Sequence, residues 1–123
     1  MRTFLIGLMV LVSTAPVRAG DMVYEGTWVT TNRPLDGPIT CVVTDLGDNK
    51  WRGHFYGVWQ GVEFSYKVDF SGPADKLRGK AMVDGANYEW TGVMNTEPGG
   101  SFKGKFQGDR YLGSFSMKKK GKG

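Results

Sequence analysis

The stretch FKGKFQGDRYLGSF, Phe102 to Phe115, holds one phrase twice: aromatic, spacer, glycine, spacer, aromatic. Alternation with a period of two is strand periodicity, because successive side chains of an extended chain point to opposite faces. The phrase recurs at Tyr24-Glu-Gly26-Thr-Trp28, Trp51-Arg-Gly53-His-Phe55 and Phe55-Tyr-Gly57-Val-Trp59. Looser versions are Leu77-Arg-Gly79-Lys-Ala81 and Trp90-Thr-Gly92-Val-Met94. Spacers such as Glu25, Arg52, Lys80, Lys103 and Lys105 are polar and belong to a solvated face. Rings and glycines share the other face.

Working outward from these phrases, the pattern predicts eight strands: Val23 to Thr30, Pro38 to Thr44, Lys50 to Trp59, Val62 to Phe70, Leu77 to Val83, Ala86 to Met94, Ser101 to Phe106 and Asp109 to Met117. Gln60-Gly61, Asp84-Gly85 and Gln107-Gly108 read as two-residue hairpin turns, which would pair Trp59 with Val62, Val83 with Ala86, and Phe106 with Asp109. All six flanking residues carry the parity of the ring face. Of the 16 aromatic residues, Phe4 lies near the start; among the other 15, only Tyr56 falls on the opposite parity. Chance would divide them about evenly, so the strands have one apolar face.

An apolar face must close on itself or pack on another layer, and the chain offers no amphipathic helix. The expected fold is all-β, a small eight-stranded antiparallel up-and-down β-barrel, with a β-sandwich or an open meander as alternatives. Glycine on the inner face costs about 0.5–1 kcal/mol in a strand. It permits the bend that closing a narrow barrel demands. One rim then carries the short turns and the longer Thr31 to Gly37 connection; the other carries the remaining loops and both termini.

Residues 1–19 read as a secretory signal peptide, with Arg2 near the start, an apolar run from Phe4 to Val12, and Val17 and Ala19 at the cleavage positions. The run is too short to cross about 30 Å of hydrocarbon as a helix. The expected product is exported, secreted or periplasmic, with a single barrel domain over residues 20–117 and a disordered lysine-rich tail over 118–123. Loss of Arg2 and Arg18 leaves 14 basic residues against 12 acidic ones, a balance too even to demand a polyanionic partner. Cys41 is the one cysteine, so no internal disulfide supports the fold. Lys118, Lys119, Lys120 and Lys122 form a charge run that reads as a solvated end, with weak contact to an anionic envelope surface as its partner reading.

At Gly26-Thr27-Trp28 the first strand resembles the glycine-any-tryptophan opening of the calycin barrels, the lipocalin and avidin-type proteins. The repeated ring-glycine phrases are similar to those along streptavidin-like meanders of comparable length. This resemblance implies ligand binding inside the barrel. It also implies a basic residue on the last strand across from the tryptophan, for which Arg110 and Lys118 are the candidates. The polar set that contacts biotin in avidins has no counterpart here. YEGTW and GDRYLGSF are also similar to membrane-occupation-and-recognition-nexus repeats, but the phrases start at 24, 51, 55, 77, 90, 102 and 111 without a constant step.

Catalytic chemistry finds little purchase in this pattern, so no enzyme is expected. His54 lies on the outward parity with no second histidine to share a metal. Cys41 points inward between Ile39 and Val43, where a small buried hydrophobe is the expected role. The acidic oxygens of Asp45 and Asp48 fall short of a calcium loop and fit turn chemistry. Asp109, inward by parity beside a turn, would sit at a wet rim. No cofactor is indicated. The inner face gathers tyrosine hydroxyls among indoles, the usual form of a small-molecule pocket. Its candidate ligand-binding residues are Trp28, Trp59, Tyr66, Tyr88, Trp90 and Tyr111, with a small apolar or aromatic ligand as partner and with Tyr56 and the Asn32 to Gly37 loop at the mouth. Two readings of the interior stay open: a core filled by rings, or a pocket.

Overall fold

The computed structural model describes residues 21–32, 35–83, 85–109 and 111–120. The expected leader, Asp84, Arg110 and Lys122 lie outside that set. Eight strands run in sequence: β1 Met22–Thr30, β2 Asp36–Gly47, β3 Lys50–Trp59, β4 Val62–Ser71, β5 Leu77–Val83, β6 Ala86–Met94, β7 Ser101–Gly108 and β8 Leu112–Lys119. Each pairs antiparallel with the next, and β8 returns to β1, closing a barrel. Closure removes the free edges that a sandwich or an open meander would leave.

Parity holds around the wall, and every strand aromatic except Tyr56 belongs to the core or packs against it. Six of the inner-face glycines sit directly opposite rings on the neighbouring strand. Trp28 pairs with Gly37, Phe64 with Gly57, Phe70 with Gly79, Tyr88 with Gly108, Phe115 with Gly104 and Phe106 with Gly113. Each ring lies over the space where the glycine lacks a Cβ, so rings too large for a narrow barrel lie flat along its wall. At Gly26 the neighbour is backbone: an added Cβ would collide with the carbonyl oxygen of Ser116 on β8.

Two of the three expected tight turns form as read. Trp59 pairs with Val62 across Gln60 (φ 49°) and Gly61 (φ 81°), and Val83 with Ala86. The third does not. Phe106 pairs with Gly113 and Gln107 with Leu112, so the last hairpin turns over Gly108 to Tyr111, where the Gly108 amide donates to the Tyr111 carbonyl at 3.0 Å. The slip is an even number of residues, so Phe106, Gly113 and Phe115 keep the inner face. Asp109 leaves the strand and is exposed. Strand β2 is longer than expected because Asp48 (φ 54°) and Asn49 (φ 58°) make a two-residue turn of their own, with a bulge between Asp45 and Gly47.

The rim opposite the tight turns is solid. Phe102 meets Phe115 edge-on at 5.1 Å and Tyr24 at 5.5 Å, and Phe55 contacts Phe70 and Phe115 at 6.1 and 5.7 Å. The Tyr24 hydroxyl donates to the Asn95 carbonyl at 2.8 Å, and the Trp51 indole donates to the Gly72 carbonyl at 2.9 Å, tying both loops to the barrel. The last strand extends past Met117 through Lys119. The Lys119 ammonium donates to the Thr96 carbonyl at 2.7 Å, and Lys120 meets Glu25 at 3.4 Å. Lys118 to Lys120 therefore belong to the barrel wall rather than to a tail.

The wall is uneven at one seam. β4 and β5 pair only at Asp69 with Lys80, Phe70 with Gly79 and Ser71 with Arg78, while β4 pairs with β3 along its whole length. Toward the tight-turn rim these two strands part.

Candidate functional site

Above the solid layer the rings stop meeting across the barrel, leaving a cavity of about 470 Å³ at the tight-turn end. All six residues expected from sequence line it: Trp28 from β1, Trp59 from β3, Tyr66 from β4, Tyr88 and Trp90 from β6, and Tyr111 from the last turn. Both readings of the interior are thus correct, each for one half of the barrel.

Ring contacts fix the shape of the wall. Trp28 and Trp59 stack with centroids 4.3 Å apart and planes 9° from parallel, and Tyr111 stands edge-on to Trp59 at 4.7 Å. The Trp28 indole donates to the Val58 carbonyl at 3.3 Å, which holds the stack against β3. On the far side Trp90 lies between Tyr66 at 5.7 Å and Tyr88 at 5.8 Å, and Phe64 stacks on Tyr66. Burial pushes the Tyr66 phenol well above its ordinary range, with the Cys41 and Tyr88 groups adding to the shift. It stays protonated at neutral pH and can donate a hydrogen bond.

Three sequence expectations fall away from the site. Tyr56 faces outward and rests on the His54 ring at 5.6 Å, outside the lining. The connection after β1 does not bring its described residues to the cavity mouth. Its Leu35 carbonyl accepts from the Thr30 amide at 2.9 Å, Asn32 accepts from the Leu112 amide at 3.0 Å, and none of its described residues borders the cavity. Lys118 is opposite Glu25 on the outer face, while Trp28 faces Phe115, so Lys118 does not cross the tryptophan.

The reactive side chains lie elsewhere. Cys41 is fully buried in the solid half, and burial pushes its thiol well above the usual value, leaving it protonated. His54 shares a 2.7 Å hydrogen bond with Ser65 on the outer wall, and burial, with Lys67 nearby, lowers its pKa. Asp45 accepts from the Gly47 amide at 2.9 Å, the turn chemistry its position suggests. Among the described residues no group of three histidine, cysteine or carboxylate side chains is placed to hold a metal.

Sequence reasoning missed part of the lining. Phe64, Val83, Ala86 and Phe106 share the inner parity and flank the turns, so the pattern that found the tyrosines also marks them. Val62 carries inner parity too, yet is 68% exposed at the turn end of β4. Glu63 has outer parity and borders the cavity on the stretch of β4 that lies beyond its pairing with β5, for which the sequence holds no signal.

No family model and no curated protein matches the sequence. Among solved structures the chain is similar to a designed fluorescence-activating β-barrel, at 14% identity and a TM-score of 0.57, over 81% of this chain and 91% of that one. It is also similar to fatty-acid-binding protein 1 of Echinococcus granulosus, at 11% identity and a TM-score of 0.44, over 81% of this chain and 95% of that one. At such identities the likeness to the designed barrel is one of fold: a closed antiparallel barrel of sequential strands.

Proposed function

We propose that this chain is an exported, non-catalytic barrel of calycin type that takes a small ligand with an apolar or aromatic body into the cavity at its tight-turn end. The observation that carries the reading is the half-hollow interior. A cavity of about 470 Å³, walled by indoles and phenols, sits over a close-packed floor. Ligand sites are commonly about 300–1,000 Å³, mostly apolar, with a few convergent polar groups. Tyr66, Tyr88 and Tyr111 bring the hydroxyl-bearing rings of the lining to that last role. The leader over residues 1–19 supports export. A non-catalytic role is supported by the two side chains best suited to chemistry lying outside the lining, Cys41 fully buried in the core and His54 on the outer wall.

The test uses the apolar probe diphenylhexatriene and energy transfer to it from the tryptophans. Saturable transfer is expected in the native protein. Trp59→Ala, which removes one plate of the Trp28 stack, should weaken probe affinity about ten-fold or more, an apolar ring being worth a few kcal/mol in a pocket. Unchanged affinity in a variant with native far-ultraviolet circular dichroism rejects the cavity as the site.

A further inference from the structure

We propose that the ligand of this cavity is an organic cation whose charge rests at the parted seam between β4 and β5, beside Glu63. The inference builds on the cavity as a ligand site and names the chemical class that it selects.

The lining is electrically one-sided. Of its fifteen described lining residues nine are aromatic, one is charged, and that one is Glu63; among the described residues no lysine or arginine borders the space. Aromatic faces carry negative quadrupole potential and attract cations within about 6 Å of the ring. A carboxylate drawn into the same space would meet those faces with no counter-charge among the described lining residues, and burying an unpaired anion is costly. The apolar half of a ligand is served equally in both cases. Its head group is not.

Glu63 is available for the role. It is exposed, stands opposite Val58 on β3, and forms no ion pair with any described residue. Its side of β4 faces no β5 residue, because the pairing of those strands ends at Asp69 with Lys80. Among the described residues, the basic side chains of β4 and β5 nearest in register, Lys67 and Lys80, do not reverse the field at the opening. Lys80 is flanked by Asp69 on one side and Glu89 on the other, and Lys67 lies further down β4, opposite His54 and outside the lining. Exposed apolar side chains flank the seam, Val62 at 68% and Met82 at 65%, so a ligand body can lie between the strands with its charge at the carboxylate.

The experiment compares three probes that share one hydrocarbon body: neutral diphenylhexatriene, its trimethylammonium derivative and its propionate derivative. Each is titrated against the full chain at low salt, with tryptophan energy transfer as readout. The cationic probe is expected to bind about ten-fold tighter than the anionic one. Glu63→Gln should weaken the cation about three-fold and leave the neutral probe unchanged. High salt should narrow the preference in the native protein and have little effect on the neutral probe. Equal or tighter binding of the propionate probe, or a cation preference that survives Glu63→Gln intact, overturns the cationic assignment while leaving the cavity a ligand site. Absence of transfer from all three probes overturns both readings. Glu63 is exposed and unpaired, so the variant is expected to keep the native circular dichroism spectrum.

Discussion

At the scale of single residues, glycine and its cross-strand ring form the unit from which this barrel is made. A glycine opposite a large ring lets the ring lie along the wall instead of projecting to the axis, and the sequence repeats this bargain in nearly every strand. Not every glycine is bound by it. Gly26 has the Ser116 carbonyl where a Cβ would go, while Gly99 has open space around it and is held only by its positive φ of 74°. Gly26→Ala is expected to cost about 2–3 kcal/mol, since two backbone segments of the β1 and β8 pair must separate. Gly99→Asn should cost less than about 1 kcal/mol, asparagine being among the residues that best tolerate that backbone region. Urea midpoints measure both, with an unchanged slope showing that the denatured state is comparable. Equal costs would mean that close approach between β1 and β8 is not what requires glycine.

Between residues and fold lie the strands and their pairing, and here the sequence was legible only in part. Parity could be read because it depends on side chains within one strand: the alternation of Phe64, Tyr66, Val68 and Phe70 is visible without knowing the partner strand. Register depends on the turn. Gln107-Gly108 has the composition of a two-residue turn, but pairing of Phe106 with Gly113 places ring over glycine and carries the reversal to Gly108 through Tyr111. The same holds for the site. Inner-face residues could be listed from parity, whereas Glu63, of outer parity, borders the cavity where the β4 and β5 ladder is incomplete, which no local pattern encodes. That ladder has a measurable consequence. Backbone groups of β4 between Val62 and Val68 that point away from β3 lack a strand partner, so every second amide there should exchange with solvent as a local event. In residue-resolved hydrogen exchange these amides should lose protection well ahead of the β3 and β4 ladder. Uniform protection along β4 would show that the seam is closed in solution.

For the whole molecule, close packing and open space are divided between two halves. The layer around Tyr24, Phe55, Phe102 and Met117 is fully buried and packs ring on ring, and a domain of this size without a disulfide depends on such packing. The tight-turn half leaves apolar surface facing a void, which forfeits dispersion contacts that a filled core would make. A void kept open in a small domain is a cost to stability, and binding is the return that would explain it. Ala86 offers a direct test: it is 5% exposed and borders the cavity beside the β5 and β6 turn. Ala86→Leu adds buried methylene surface inside the void and should stabilise the fold by about 1 kcal/mol, raising Tm by about 4–8 °C. It should also weaken diphenylhexatriene binding about ten-fold, because the added side chain occupies the volume that the probe needs. Thermal melts and probe titration on the same variant separate the possibilities. A gain in Tm with lost binding shows that the void is held open at the expense of stability. A fall in Tm would mean that this end is already packed to its limit, and that the half-hollow barrel is not the state in solution.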